Sequence, residues 1–152
     1  MKVTGSFLLF CVEDGRYALD VAAVERIVFA AEVTPLTDAP ETVLGLINIA
    51  GEIMPVVDVR RRFGFPPRDM ELSDRFIVTH ATGTPLALLV EAVEGVVELP
   101  AQSITTGNKA GSWTSTAAVG DGGSIVVIHK IDSLVSADDL AKLENSGKDT
   151  HE

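Results

Sequence analysis

The fold turns on one stretch: Gly45-Leu46-Ile47-Asn48-Ile49-Ala50-Gly51-Glu52-Ile53-Met54-Pro55-Val56-Val57-Asp58-Val59-Arg60. Val43 to Ile49 reads as an apolar strand, Ala50-Gly51-Glu52 as its turn, and Ile53 to Val59 as a second, fully apolar strand. Two glycines, an asparagine and a proline therefore sit at fixed points of a β-hairpin, where turn chemistry wants them. Pro55 cannot donate to a ladder, which predicts an edge or a bulge at that point. An apolar hairpin interrupted in this way also leaves a strand edge open to a partner.

Upstream, Phe7 to Val12 is a strand, and Glu13-Asp14-Gly15-Arg16 is a tight turn. Tyr17, Leu19 and Val21 alternate with Ala18 and Asp20, the period of a half-buried strand. Val21, Val24 and Val28 step by three and four, which predicts a short helical turn before the strand Arg26 to Phe29. Pro35 and Pro40 bracket a loop. Downstream, Phe63 to Pro67 closes the section, and Arg68 to Asp74 is a polar loop. Strands resume at Arg75 to His80, Pro85 to Val90 and Val93 to Leu99, with Pro100 as the stop. Residues 105 to 116 read as a mobile loop, Gly120 to Gly123 as a hairpin turn, and Ser124 to Ile131 as the last strand. Ser136 is placed to cap a helix from about Ala137 to Leu143, with Asp138 and Asp139 favourable in its first turn. Many short strands and one terminal helix indicate a β-barrel architecture, and the absence of long amphipathic helices argues against a doubly wound α/β fold.

The chain repeats itself. At a shift of 69 residues, segment 7–28 matches segment 76–97 at eight of 22 positions. The identities are Phe7/Phe76, Ala18/Ala87, Leu19/Leu88, Val21/Val90, Ala23/Ala92, Val24/Val93, Glu25/Glu94 and Val28/Val97. A weaker echo at a shift of 72 sets Gly51, Ile53, Val56 and Val59 against Gly123, Ile125, Ile128 and Ile131. Each half reads hairpin, connector, hairpin, which predicts two similar small barrels packed on each other. Phe7, Leu9, Val21, Leu88, Val90 and Ile128 are the expected shared core.

With 152 residues and 46% hydrophobic content, the chain can bury a core as one domain or two lobes sharing it. A formal net charge of -10 argues against nucleic acid as a partner. The one basic run, Arg60-Arg61-Arg62, is better explained by a solvated face or intramolecular pairs than by phosphate contact. Cys11 is the single cysteine, so no disulfide forms within the chain and no multi-Cys zinc site exists; inside its apolar run it reads as a small buried hydrophobe. No signal pattern is visible at the N-terminus and no apolar stretch is long enough to span a bilayer, which predicts a cytoplasmic protein without direct membrane insertion.

No constellation demands catalysis. His80, His129 and His151 share no zinc spacing, and no Gly-x-Ser-x-Gly elbow is present. His129 reads as a buried or half-buried strand histidine. Gly120-Asp121-Gly122-Gly123 lacks the Lys-Ser/Thr and following helix of a phosphate loop. The expectation is no catalytic site, no metal and no cofactor.

The hairpin resembles the CheW family of chemotaxis adaptors, whose usual form is Gly-Val-x-Asn-Leu-Arg-Gly-x-x-x-Pro-Val-x-Asp-Leu-Arg. Tyr17-Ala18-Leu19-Asp20-Val21 with Val24, Leu88-Leu89-Val90-Glu91-Ala92-Val93, and Asp121-Gly122 with Ile125 to Leu134 resemble further family segments. The likeness covers about residues 6 to 144 as a single domain. The lobes would be about 14–74, and about 6–13 with 75–144, leaving 145–152 as a flexible tail. The resemblance implies a mainly β fold of two intertwined, SH3-like five-stranded barrels with a short C-terminal helix. It also implies a job: linking chemoreceptor tips to a CheA-type histidine kinase, sharing ring-like contacts with the kinase's own CheW-like regulatory domain.

By that resemblance, kinase binding maps to Ile27, Val28, Val33 and Leu44. Receptor contact maps to a groove beside Val24, Gly45, Ile47 and Asn48, where a helical hairpin tip could lay an apolar stripe. The free protein is expected to be a monomer, recruited to membrane-associated receptor arrays. One departure stands out: the family's arginine in Asn-Leu-Arg-Gly is Ala50. Alanine cannot bridge carboxylates, so either a neighbour such as Arg26 substitutes or the partners differ, as in a divergent scaffold of a non-flagellar motility or developmental pathway.

Overall fold

The computed structural model describes residues 4–81, 83–100, 105–106, 116–121 and 124–135. The first half runs β1 (Thr4–Val12), β2 (Gly15–Asp20), a single 3-10 turn (Val21–Ala23), β3 (Val24–Phe29), β4 (Val43–Ile49), β5 (Glu52–Asp58) and the short α1 (Val59–Arg62). The second half runs β6 (Arg75–Ala81), β7 (Thr84–Val90), β8 (Ala92–Pro100), the two-residue β9 (Thr105–Thr106), β10 (Thr116–Asp121), β11 (Ser124–His129) and α2 (Ile131–Leu134).

The strands form two mixed sheets, in the orders β8-β1-β2-β11-β10-β9 and β3-β6-β7-β5-β4. Strands β1 and β2 join β8–β11 in one sheet, and β3–β5 join β6 and β7 in the other, so each sheet holds strands from both halves, which is how the two intertwine. The sheets therefore divide the chain at residues 20–24 and 90–92, not at the expected lobe boundaries near 14 and 75.

The repeat read from sequence governs the register. Phe7 faces Val97 across β1/β8, and Phe76 faces Val28 across β6/β3, both at the shift of 69. Ala18 faces Ile128 in one parallel pair, and Ala87 faces Val56 in the other. Even the bulges match: Glu94 is the extra residue in β8 and Glu25 in β3. Two elements differ from expectation in the same way. The strands expected to reach Val59 and Ile131 end at Asp58 and His129, and one helical turn starts after each. The Asp58 carboxylate caps the first turn by accepting the Arg60 N–H at 3.0 Å. Thr105–Thr106 is a short strand within the expected mobile loop. The expected helix at 137–143 and the tail 145–152 lie outside the described residues.

Pro55 lies opposite Leu46 in β4, one residue before parallel pairing with β7 begins at Val56. Its strand is internal, but that part of it needs no donor on the β7 side.

The expected single core is three clusters. Sheet β3–β7 wraps Ala30, Ile47, Met54, Val56, Phe76, Val78, Ala87 and Leu89. Its counterpart wraps Leu9, Ala18, Val126 and Ile128. Between the sheets lies the largest cluster, including Leu8, Phe10, Leu19, Val57, Ile77, Leu88 and Val90. Each fully buried aliphatic side chain here contributes about 1.5–3 kcal/mol. Strands β6 and β7 are apolar on both faces because each face meets a different cluster. Leu9, Leu88, Val90 and Ile128 are buried as expected. Phe7 and Val21 are only half-buried: Phe7 packs at the margin of the Leu9–Ile128 cluster, and Val21 opens the 3-10 turn after β2.

Candidate functional site: the β4–β5 hairpin and the β3 edge

The hairpin tip is a two-residue turn. Ile49 faces Glu52, and the intervening Ala50 and Gly51 have φ of 53° and 89°. Positive φ at both positions is the type I′ geometry that suits the strand twist. Glycine takes it freely, whereas Ala50 is held in the left-handed region at a cost of about 1–2 kcal/mol. The Asn48 side-chain oxygen accepts the Gly51 N–H at 2.9 Å, which anchors the turn. Asn48, Ala50 and Ile53 are exposed.

Gly45 serves a different end. It sits at a bulge in β4 with φ 150°, and a Cβ there would lie 2.0 Å from the Thr34 carbonyl oxygen. Thr34 and Leu46 exchange backbone hydrogen bonds of 2.9 and 2.8 Å, so the 30–42 connector folds against this edge. Beyond that bridge an open groove of about 220 Å³ is lined by Thr34, Leu46, Ile47, Asn48 and Ile53.

The nine residues assigned from sequence fall into separate places. Asn48 and Ala50 are exposed at the tip, while Gly45 is buried under Thr34 and Ile47 points into the sheet's own cluster. Val24 lines another groove, of about 290 Å³, with Ala22, Ala23, Glu25 and His80. There the His80 Nδ1 lies 3.6 Å from a Glu25 oxygen. The expected single receptor groove is thus two. Of the kinase set, Val28, Val33 and Leu44 are half-buried against the same cluster, and Ile27 is exposed on β3. Arg26 is exposed on β3 and makes no ion pair with Ala50's neighbourhood among the described residues.

Sequence reasoning underrated Arg60. It is buried and pairs with Glu13 and Glu91, each at 2.5 Å. Its Nε and Nη2 also donate to the Pro66 carbonyl at 3.2 and 2.7 Å. Glu91 additionally accepts the Glu13 N–H at 3.0 Å and lies 3.7 Å from Arg68, which bonds Asp74 at 2.9 Å. The Glu13 carboxylate holds the Arg60 guanidinium still more firmly protonated. Burial pushes the Glu91 carboxyl up, but the Glu13 N–H and Arg60 outweigh it and leave it below the usual range. This network ties the hairpin's far end to the β1–β2 turn and the β7–β8 crossover. Of the two readings of the basic run, a solvated face or intramolecular pairs, the second holds for Arg60.

The remaining titratable groups are packed, not poised. His129 stacks on Phe63 at 4.9 Å beside Tyr17, and burial with nearby Arg62 lowers its pKa to about 4. Burial and a hydrogen bond to Glu94 raise the Cys11 thiol to about 11, the opposite of an activated nucleophile. Among the described residues no group of His, Cys, Asp and Glu could hold a metal ion, and no helix is long and apolar enough to cross a membrane.

Comparison with known proteins adds the following. Residues 6–139 match the CheW-like domain family. A chemotaxis protein CheW of Treponema pallidum (strain Nichols) is 24% identical over 137 residues, covering 85% of this chain and 81% of the relative. One from Klebsiella aerogenes is 23% identical over 146 residues, covering 93% and 88%. Among solved structures, the scaffolding protein TtCheW from Thermoanaerobacter tengcongensis superposes with a TM-score of 0.79 at 25% identity, covering 90% of this chain and 96% of that one.

Proposed function

The chain belongs to the CheW-like domain family, and from that premise we propose that it is a non-catalytic cytoplasmic adaptor coupling chemoreceptors to a CheA-type histidine kinase. The family match along nearly the whole chain carries this reading. Relatives are named as chemotaxis proteins, and the superposed structure as a scaffolding protein. The geometry agrees in kind: the family hairpin presents Asn48 and Ala50 on an exposed tip beside an open apolar groove. Val24, Asn48 and Ala50 are the receptor-side candidates. Ile27 and the half-buried Val28, Val33 and Leu44 are the kinase-side ones.

A pull-down of the full chain against the host's own CheA-type kinases and receptors tests this. Retention of one kinase and one receptor is expected; retention of neither overturns the proposal. Ala50 favours a second reading, a divergent scaffold of a non-flagellar motility or developmental pathway. Under it, the partners retained would come from a different array of the same host.

A further inference from the structure

A cavity of about 10 Å³ lies where the end of β5, the connector between α1 and β6 and the β7–β8 crossover meet. Its lining differs from that of the two open grooves. Three carboxylates, Asp58, Asp74 and Glu91, and two guanidiniums, Arg60 and Arg68, border it, with Met70 among its apolar walls.

The hydrogen bonds around this cavity leave capacity on both sides. Asp58 and Asp74 are each 2% exposed. An ionised carboxylate offers about four acceptor sites, and these two use only part of theirs. Asp58 takes the Arg60 N–H at 3.0 Å, and its other oxygen lies 3.4 Å from Arg61 Nε. Asp74 takes Arg68 Nη2 and the Glu71 N–H, each at 2.9 Å. Glu91 makes its contacts through Oε2, which accepts the Glu13 N–H and Arg60 Nη1; its Oε1 accepts nothing among the described residues. On the donor side, Arg68 Nη1 gives to the Asp69 carbonyl and Nη2 to Asp74. Its Nε stands 3.7 Å from Glu91 Oε2, too far for a hydrogen bond, and finds no acceptor among the described residues.

A charged donor without an acceptor thus faces carboxylates with acceptor sites to spare, across a cavity of the size of one water. Buried water is held where there is room for one molecule and two to four polar partners, and a polar gap beyond 3.5 Å is where a bridging water belongs. An ion fits the charges less well. Two guanidiniums already stand against the three carboxylates, which would themselves repel an anion. Among the described residues no group of His, Cys, Asp and Glu could hold a metal ion.

We propose that this cavity is the site of one ordered water, which accepts from Arg68 Nε and donates to two of the three carboxylates. Asp58 ends β5, Arg68 and Asp74 belong to the connector, and Glu91 is the crossover residue. One molecule therefore joins three segments at a single point and carries the Arg60 tie on to the connector.

Two measurements on the full chain test this. In a high-resolution crystal structure, one density peak is expected in the cavity, within about 3.2 Å of Arg68 Nε and of at least one carboxylate oxygen. In solution, with the methionine methyls labelled, the Met70 methyl should show a cross-peak to water of opposite sign in laboratory-frame and rotating-frame spectra, the mark of a water that tumbles with the protein. Arg68→Met, its fold checked by the thermal transition, removes the donor, and the cross-peak should lose most of its intensity. A cavity without density or filled by side-chain atoms, or a Met70 cross-peak that is absent or of equal sign in both spectra, overturns the site. A cross-peak undiminished in Arg68→Met overturns Arg68 as the donor.

Discussion

Replacing Arg60 with alanine removes the centre of an ion network, where the sequence alone leaves open a solvated face or intramolecular pairs. The guanidinium pairs with Glu13 and Glu91, and two of its nitrogens donate to the Pro66 carbonyl. Removing one partner of a fully buried pair costs about 3–5 kcal/mol, because the other charge is left unpaired. Here the surviving carboxylates are partly hydrated: Glu13 is 41% and Glu91 24% exposed at the side chain. Glu91 also keeps the Glu13 N–H and a long contact to Arg68. The expected loss is therefore about 2–3 kcal/mol. In urea, with a slope of about 1–3 kcal/mol/M for a protein of this size, the midpoint should fall by about 1–2 M at unchanged slope. Combining Arg60→Met with Glu13→Gln and Glu91→Gln should recover most of the loss, since no buried charge then lacks its partner. A loss under about 0.5 kcal/mol in Arg60→Ala, typical of surface pairs, would refute the view of this network as a structural tie.

Three further outcomes follow from the same geometry. The folded pKa of His129 lies at about 4, below its ordinary 6.5, so the unfolded chain takes up the proton first and stability falls as pH drops from about 6.5 toward 4. His129→Phe should remove about 2–3 kcal/mol of that acid-side slope, read from urea midpoints across the window; an unchanged slope would place its source elsewhere. Leu44→Glu should abolish kinase co-purification while lowering stability only by about 1–2 kcal/mol, because the side chain is half-buried; complete unfolding would make it a core residue. Ala50→Arg should strengthen binding to an ordinary CheA–receptor pair by about 1 kcal/mol if a partner carboxylate meets the exposed tip. Weakened native complexes with no such gain would mean that Ala50 has adapted to different partners.

Strands, turns and the internal repeat were legible because their signals are local. Alternation of Tyr17, Leu19 and Val21, the Gly51 turn and the matched Glu25/Glu94 all lie within one element or its copy. The pairing of β1 and β2 with β8–β11, and of β3–β5 with β6 and β7, was not legible, because periodicity says which face of a strand is apolar and nothing about which sheet it joins. The helical turns at Val59–Arg62 and Ile131–Leu134 are too short for a period to register. Arg60 was legible only as one of two options, since its partners Glu13 and Glu91 stand 47 and 31 residues away. Ile47 and Asn48 are neighbours in the motif but face opposite ways. Strand alternation alone separates them, and it was the available signal for assigning contact to Asn48 and packing to Ile47.

The sharing of each sheet between the two halves bears on how such an adaptor could transmit anything. Each sheet contains strands from both halves, so the two sheets are joined by chain crossings at residues 20–24 and 90–92. Between them lies a cluster drawing Leu8, Phe10 and Leu19 from one sheet and Val57, Ile77, Leu86 and Leu88 from the other. Opening that contact would expose several side chains at about 1.5–3 kcal/mol each, which approaches the whole stability of a small domain. A hinge between the sheets is therefore an expensive motion. The Arg60 network adds a polar tie on the same boundary, from α1 to the β1–β2 turn and the β7–β8 crossover. A body built in this way passes on the position and orientation of what docks at its hairpin tip and β3 edge, and responds little in its own shape. Differences between paralogues of such a scaffold then belong at exposed positions such as Ala50, where a side chain can change the partner without touching the core.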